Sequence, residues 1–357
     1  MTGARVLFLS HTHVFGDFRV GSHHYARELA RLGADVVHLS TPISLAPRLP
    51  GRIPRAASTA VPRHAHRDDD GVTHLVPRTV LPRPWGTFRV ARALTRAGIE
   101  PRFDAVLIDQ PLLWDDSVRG LSDTLVYRPT DLYPDGLKHT LQDRILASAD
   151  AVVATSGAVL RGLGHLTLPS LVIENGVDLA AFADPPTDAD TRPATCVYVG
   201  ALDARFDWQQ LHAWATAHPE VRFVIAGPRP APPAPLPANV ELIGPVPYAD
   251  LPALLRGARV GLLPLSDDPS NAGRSPMKLH EYLAAGLAVV SRETPGIRSD
   301  THAGVHTYTS PETADAALTA ALRHPSPNLA GRRTAENHTW AAKAGELATF
   351  LSGLVAD

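Results

Sequence analysis

A lysine and a glutamate about one helical turn apart carry the chemistry that is most readily read from this sequence. Lys278 and Glu281 lie in the stretch SPMKLHEYLAAGLAVVS at residues 275–291, where apolar and polar residues alternate at near-helical spacing. The first turn of a helix offers free backbone N–H groups and the positive end of a dipole, and both suit a phosphate. Lys278 adds a mobile positive charge to that turn. A surface helix with solvated charges is the alternative interpretation of either residue alone.

Local signals predict where this helix begins and ends. Ser275 is a good N-cap, and Pro276 suits the first helical position, where a missing N–H costs nothing. Gly286 is expected to end the helix. The apolar residues 287–291 then predict a buried strand.

The whole pattern resembles the nucleotide-sugar helix of the GT-B glycosyltransferases. The C-terminal domain of that family carries Pro-x-Lys-x-x-Glu-Tyr-x-x-x-Gly-x-Pro-Val-Val, and this chain departs from it at Ala288, where proline is usual. Met277 followed by Lys278 is similar to the xanthan-type glucuronosyltransferase branch in particular. The resemblance implies that Lys278 contacts the donor diphosphate and that Glu281 hydrogen-bonds the ribose of the nucleotide.

The resemblance also implies which residues bind the rest of the donor. Residues 244–248 match the loop whose backbone reads a uracil-like base, and Gly200 borders the path of the phosphates. No cofactor and no metal are expected, because GT-B enzymes are typically metal-independent and no Asp-x-Asp pair follows a convincing strand. The expected donor-site residues are Gly200, Arg205, Gly227, Arg229, Val246, Tyr248, Ser275, Met277, Lys278 and Glu281, with Arg274 as a further candidate contact of the diphosphate.

A carboxylate from the first half of the chain is expected to be the catalytic base. Retaining enzymes of glycosyltransferase family 4 place a second glutamate eight residues before the position of Glu281, and here that position is Gly273. The glucuronosyltransferase branch inverts with an aspartate, and Asp131 matches its place after the predicted strand 125–127. An inverting transfer needs such a group to take the proton of the acceptor hydroxyl. The alternatives are a helix or turn cap at Asp131, Asp135 as the base, and a retaining reaction.

Alternating strands and helices must position these residues. In the first half, strand 6–10, helix 23–32 and strand 36–40 form a β–loop–α–β unit, which predicts a parallel sheet with ligands beyond the strand carboxyl ends. The second half repeats this architecture. Neither Gly-x-Gly-x-x-Gly nor a Walker-type loop is present, so neither NAD nor ATP binding is supported. The predicted fold is α/β of the GT-B type, with two facing Rossmann-like β/α/β domains and an interdomain cleft.

Three segments follow from that prediction. Residues 1–178 would form an N-terminal acceptor-binding domain, and residues 179–338 a C-terminal nucleotide-sugar-binding domain. Residues 339–357 would form a helix that packs on the N-terminal domain. The amphipathic pattern from Trp340 to about Ser352 provides the apolar face for that packing.

Composition places the chain among ordinary globular proteins. It has 357 residues, 44% hydrophobic and 20% charged, and a net charge of −2, which argues against a general nucleic-acid binder. One cysteine, Cys196, rules out an intramolecular disulfide and a cysteine-rich metal site. No apolar run is long enough to span a membrane, and the sequence begins with a predicted strand, so a cytoplasmic location is expected.

A basic stretch at residues 45–102 sets one region apart. It holds eleven arginines against four acidic residues, and its many prolines predict loops. A solvated surface is one interpretation. The other is a face for an anionic acceptor or for peripheral contact with an anionic membrane, where each basic residue contributes about 1 kcal/mol.

Three functions remain open at this point. The first is a glycosyltransferase whose donor is a nucleotide sugar, with UDP expected, and whose acceptor is a glycan, a lipid-linked sugar or a small-molecule natural product. The second is a GT-B-fold epimerase or hydrolase of nucleotide sugars, and the third is a non-catalytic sugar-binding protein. Four histidines near the first loop, His11, His13, His23 and His24, raise the alternative of a metal site there. We do not expect one, because adjacent helical residues cannot share one face.

Overall fold

The computed structural model describes residues 1–16, 18–44, 61–81, 88–182, 192–228, 230–299 and 302–356. The chain divides into two compact units, Met1–Glu174 together with Trp340–Asp357, and Asn175–Thr339. The boundaries predicted from the sequence were 178/179 and 338/339. Arg229 and part of the basic stretch, residues 45–60 and 82–87, lie outside the described residues.

The first unit is built on an eight-stranded sheet. Its order is β10-β9-β8-β7-β1-β2-β5-β4, and every pairing is parallel except that of β4 with β5. β3 and β6 pair separately. The strands are β1 (Arg5–Ser10), β2 (Asp35–Ser40), β3 (Ile43–Ser44), β4 (His66–Arg67), β5 (Thr73–Leu75), β6 (Arg78–Thr79), β7 (Phe103–Ile108), β8 (Ser122–Tyr127), β9 (Ala151–Ala154) and β10 (Ser170–Val172).

Helices flank this sheet, and its central strands are buried. β1, β7 and β8 are buried apart from their first residues, which is why their later residues form apolar runs and not alternating patterns. The helices before the second unit are α1 (Gly21–Arg31), α2 (Val90–Arg96), α3 (Gly136–Leu146) and α4 (Gly157–Gly162). The order β5-β2-β1-β7-β8-β9 is that of a doubly wound sheet, which reverses between β1 and β7.

The second unit repeats this topology with six parallel strands. The order β13-β12-β11-β14-β15-β16 reverses between β11 and β14. The strands are β11 (Thr195–Val199), β12 (Arg222–Ala226), β13 (Val240–Gly244), β14 (Val260–Leu263), β15 (Ala288–Arg292) and β16 (Val305–Tyr308). The helices are α5 (Trp208–Ala217), α6 (Leu251–Arg256), α7 (Met277–Ala284), α8 (Pro311–Arg323) and α9 (Leu329–Glu336). The prediction of two Rossmann-like halves is confirmed.

The last helix, α10 (Trp340–Ala356), belongs to the first unit. The Trp340 indole is almost fully buried and stacks on His24 of α1, with ring centroids 4.7 Å apart. It also meets Tyr25 edge to face at 5.2 Å. The predicted contact of this helix with the first half of the chain is confirmed. None of the described helices is long and apolar enough to cross a membrane.

Candidate functional site

Helix α7 begins one residue later than the sequence indicates. Its first residue is Met277, and Pro276 takes the N-cap position with no side-chain cap. Ser275 does not cap the helix because its hydroxyl accepts a hydrogen bond from the backbone N–H of Asn175, at 3.0 Å. The Asn175 amide also donates to the Ser275 carbonyl, at 2.6 Å. The first turn of α7 therefore keeps backbone N–H groups that no side-chain cap occupies.

The other end of α7 is closed in two ways. Gly286 follows it with φ +74°, a backbone conformation that favours glycine, so the predicted helix stop is confirmed. Two arginines then satisfy carbonyls that a helix terminus leaves unpaired. The buried Arg192 guanidinium donates to the carbonyls of Ala285 and Gly286, at 2.8 and 3.2 Å, while Arg332 donates to that of Ala284. Burial lowers the pKa of Arg192 to about 10.

Tyr282 fixes α7 against the sheet. Its side chain is fully buried, and its hydroxyl oxygen accepts a hydrogen bond from the Val199 N–H at the end of β11, at 3.0 Å. Its ring lies over Gly261 of β14, where an added Cβ would collide with the ring carbons. Glycine at this position therefore allows the helix to approach the strand closely.

Lys278 and Glu281 form an ion pair on α7. The ammonium lies 2.8 Å from Oε2 of the glutamate, whose side chain is 1% exposed against 23% for the lysine. The other oxygen, Oε1, is buried and accepts no hydrogen bond from the described residues. A buried carboxylate oxygen without a donor is costly, so this atom is an acceptor that a ligand hydroxyl can satisfy.

Three glycines line the adjacent strand ends. The Gly200 N–H donates to the Ala226 carbonyl at 3.0 Å, and the Gly227 N–H donates to the Gly244 carbonyl at 2.8 Å. A Cβ on Gly227 would collide with the Gly200 carbonyl, and one on Gly200 would lie 2.6 Å from the Tyr198 hydroxyl. This edge of the sheet is consequently bare backbone at the place where a doubly wound sheet receives its ligand.

The loop expected to read the base lies next to this edge. Val246 and Tyr248 are half-buried and pack against the apolar cluster that includes Leu279 and Leu283 of α7. Tyr248 opens a short 3-10 turn that ends at Asp250. The loop therefore packs on the same apolar cluster as α7.

Arg205 is engaged within its own loop. Its guanidinium forms a forked ion pair with Asp203, with Nε–Oδ1 and Nη2–Oδ2 distances of 3.0 and 2.5 Å. This pair holds the pKa of the Asp203 carboxyl below its usual range. The backbone carbonyl of Arg205 accepts from Asn271, at 3.1 Å, which connects the loop to the segment before α7. Met277 and Arg274 sit at the start of α7, Arg274 immediately after the 3-10 turn Pro269–Gly273.

Asp131 lies in the first unit, just beyond the carboxyl end of β8. It is half-buried, and its Oδ2 accepts a hydrogen bond from the Thr130 hydroxyl at 3.2 Å. It does not cap a helix, because α3 begins at Gly136 with Asp135 at the N-cap position. The alternative interpretation of Asp131 as a helix cap is therefore wrong.

A histidine extends this contact into a hydrogen-bonded chain. The Gln110 amide nitrogen lies 3.0 Å from His11 Nδ1, and its oxygen accepts from the Leu112 N–H at 3.4 Å, which fixes the amide orientation. Nδ1 of His11 is thus an acceptor, and Nε2 donates to the Thr130 hydroxyl at 3.0 Å. Burial lowers the pKa of His11, so the neutral ring is favoured.

Sequence reasoning missed this chain and the ion pair beneath it. Arg128 and Asp109 are both buried and joined by an Nε–Oδ1 hydrogen bond of 2.8 Å, and the guanidinium lies 4.8 Å from the Tyr25 ring centroid. Asp109 directly follows β7 and Arg128 directly follows β8. Their position after neighbouring parallel strands was the signal that could have found them.

The histidines of the first loop serve separate contacts. His11 belongs to the chain that ends at Asp131, while His23 Nε2 lies 3.0 Å from the Thr12 carbonyl. His24 instead stacks on Trp340. Among the described residues, the group of His, Cys, Asp or Glu side chains that meets a metal-site distance criterion lies elsewhere, in the second unit.

Comparisons with known proteins agree with this architecture. Residues 193–324 match the family described as "Glycosyl transferases group 1". No curated protein matches the chain. Three solved structures share the fold, each at 15% sequence identity. The sucrose-phosphate synthase of Thermosynechococcus elongatus has a TM-score of 0.69, with 99% of each chain covered. HepE of Anabaena in complex with UDP-glucose has a TM-score of 0.67, and WaaG, a glycosyltransferase involved in lipopolysaccharide biosynthesis, one of 0.63, each with 98% of this chain and 100% of the other covered.

The family match and the structural likeness cover different lengths of the chain. The match covers β11 to α8, which includes α7 and the glycine-lined strand ends. The structural likeness extends over nearly the whole chain and establishes the fold. Residues 193–324 are therefore a group 1 glycosyltransferase domain, and the chain is a glycosyltransferase with the GT-B fold.

Proposed function

We propose that this enzyme transfers a sugar from a UDP-sugar to an acceptor hydroxyl, with inversion of configuration, and that no metal takes part in the transfer. The observation that carries the donor assignment is the buried Glu281 carboxylate, paired on one oxygen with Lys278 and without a hydrogen-bond donor on the other. This arrangement stands beside the uncapped first turn of α7. A ribose hydroxyl and a diphosphate together would satisfy both features.

The proposed donor contacts follow from these groups. The diphosphate would accept hydrogen bonds from the first-turn N–H groups and from Lys278, and a ribose hydroxyl would donate to Oε1 of Glu281. The bare strand edge at Gly200 and Gly227 would allow the phosphates to approach the backbone. Val246 and Tyr248 would border the base. HepE, which shares this fold, was solved with UDP-glucose, and this supports uridine as the nucleoside.

Stabilisation of the leaving diphosphate would fall to fixed positive groups. Lys278 and the positive end of the α7 dipole would supply them. Arg205 forms an ion pair with Asp203. It would therefore bind a phosphate oxygen only after that ion pair is broken. Arg274 is the further candidate, and Arg229 stays a prediction from the sequence.

Asp131 is the proposed base. Its Oδ2 is held by Thr130, which leaves Oδ1 as the atom proposed to take the proton of the acceptor hydroxyl. The neutral His11 donates to Thr130, so the chain supplies hydrogen bonds toward the carboxylate and does not compete for its proton. A retaining reaction is the alternative mechanism, and Gly273 in place of a second glutamate favours inversion.

The acceptor is proposed to be anionic, or presented at an anionic membrane surface. In the first unit a cavity of about 780 Å³ lies between the β5–β6 segment and α2. Its lining includes Arg63, Arg78, Arg89, Arg92 and Arg96. A glycan bearing carboxylates or phosphates, a lipid-linked sugar or an acidic natural product would match this lining. If so, acceptor affinity should fall as salt rises.

One assay separates the three functions considered above. The protein would be incubated with a panel of nucleotide sugars, and nucleotide release would be measured with and without acceptors. Acceptor-dependent release of UDP supports the proposal, and inverted configuration in the product, seen by NMR, supports Asp131 as base. Acceptor-independent release or isomerised donor would indicate a hydrolase or an epimerase, and binding without turnover would indicate a sugar-binding protein.

A further inference from the structure

Three histidines from distant parts of the sequence meet in the second unit. His280 lies on α7, His302 precedes β16, and His338 follows α9. One ring nitrogen of each lies within 4.8 Å of the others. The rings of His280 and His338 are stacked at 4.4 Å, and that of His302 stands nearly perpendicular to His338 at 5.4 Å.

The backbone holds each histidine in place. The His338 carbonyl accepts from the Val177 N–H at 2.8 Å, and its own N–H donates to the Ala335 carbonyl at 2.9 Å. The His302 carbonyl accepts from the Val305 N–H at 3.2 Å. His280 is fixed by the helix and is 3% exposed, whereas the other two are half-buried. The group is thus preorganised and still open on the side of His302 and His338.

We propose that His280, His302 and His338 bind a Zn²⁺ ion. Neutral imidazole is a preferred ligand of zinc, and three histidines leave a fourth position of the tetrahedron for water. The nitrogen atoms need to draw together by up to about 1.5 Å to reach the spacing of a tetrahedral zinc coordination shell. Rotation of the side chains of the two half-buried histidines would supply that movement.

The ion would act on the structure and not on the transfer reaction. At about 100° per residue, His280 lies about 130° around α7 from the midpoint of Lys278 and Glu281. The metal would therefore bind on a different face of the helix from the proposed diphosphate site. There it joins α7 to the segments at 302 and 338 and limits the movement of the helix.

Metal content is the direct test, and it does not depend on activity. Protein without a histidine tag would be equilibrated with Zn²⁺, dialysed and analysed by mass spectrometry. We expect about one zinc per chain, and with Co²⁺ the visible absorption of a tetrahedral site. Saturating Zn²⁺ should also raise the unfolding temperature by at least about 3 °C, and a chelator should reverse the shift.

Variants decide whether these histidines are the ligands. His302→Ala and His338→Gln should each lower the zinc affinity at least about tenfold and abolish the thermal shift. The matched control is His212→Ala, an exposed histidine of α5, which should behave like the parent. His302→Ala avoids the folding risk of replacing the buried His280. Failure of the parent to retain zinc, or equal zinc in His302→Ala, would show that the cluster is only aromatic packing.

Discussion

The two units share one strand order and differ in what they place at the carboxyl edge of the sheet. In the first unit that edge carries titratable and hydrogen-bonding side chains, with His11, Thr130 and Asp131 in one chain above the Asp109–Arg128 pair. In the second it carries glycines and the start of α7. The same topology thus presents titratable side chains in one unit and bare backbone in the other, and the difference resides in the few residues that follow each strand.

The largest effect is expected from a substitution of the proposed base in the first unit. Asp131→Asn keeps the shape and the hydrogen bond from Thr130 but removes the basicity, so turnover should fall by about 10² to 10⁴. Donor affinity, measured by titration calorimetry with UDP, should hardly change. The matched control is Asp135→Asn, four residues later on the exposed surface. Loss of turnover in the control with normal Asp131→Asn activity would move the base to Asp135.

The second prediction concerns the proposed phosphate site of the second unit. Lys278→Ala removes a charged hydrogen bond, which costs about 1.5–3 kcal/mol, so donor affinity should weaken about 10- to 150-fold. Steady-state kinetics with the donor varied would measure this. Lys343→Ala on α10 is the control. Since Lys278 also pairs with the buried Glu281, unfolding should be followed in parallel, and unchanged kinetics would remove Lys278 from the site.

A stability experiment sharpens the role of close packing in the second unit. Gly261→Ala pushes a methyl group into the Tyr282 ring, so the free energy of unfolding should fall by about 1–3 kcal/mol. Gly120→Ala in the first unit is the control, because nothing lies within 4 Å of its added Cβ. Denaturant melts would compare them. Equal stability of the two variants would mean that α7 shifts freely on β14.

The smallest effect concerns the acid sensitivity of the first unit. Burial lowers the pKa of His23 to about 3, against an ordinary value of 6.5. Between these values the unfolded chain binds a proton that the folded chain does not, so stability is lost as pH falls from 6.5 toward 3, by up to about 1.4 kcal/mol per pH unit.

His23→Gln should make that dependence shallower, as measured by unfolding at several pH values between about 7 and 5. His165→Gln, an exposed histidine of the same unit, should leave the slope unchanged. The prediction is wrong if both variants keep the slope of the parent.

Local signals explain what the sequence could predict. Central strands such as β1 and β14 are mostly apolar runs, and α7 is marked by its spacing and by Gly286, so the fold and this helix could be predicted from the sequence. The predicted start of α7 was wrong because the backbone N–H of Asn175, which is remote in sequence, donates a hydrogen bond to the Ser275 hydroxyl. The ion pair of Arg205 was accessible in principle, since Asp203 is two residues away.

The features that the sequence could not predict are contacts between residues that lie far apart in the chain. Gln110, His11 and Thr130 follow three different strands, and their hydrogen bonds depend on the registers of β1, β7 and β8. His280, His302 and His338 meet only because a helix and two loops come together in the second unit. Neither group of residues has a regular spacing along the chain from which its contacts could be predicted.

The packing of Trp340 on His24 and Tyr25 has a consequence for biosynthesis. A ribosome makes α1 well before α10, with the whole of the second unit between them in the chain. The apolar surface that α1 will share with Trp340 must therefore wait, uncovered, while the second unit emerges and folds. The unit that begins first is completed last, and the nascent chain is exposed to aggregation or chaperone binding at α1 until residue 340 and its neighbours leave the exit tunnel.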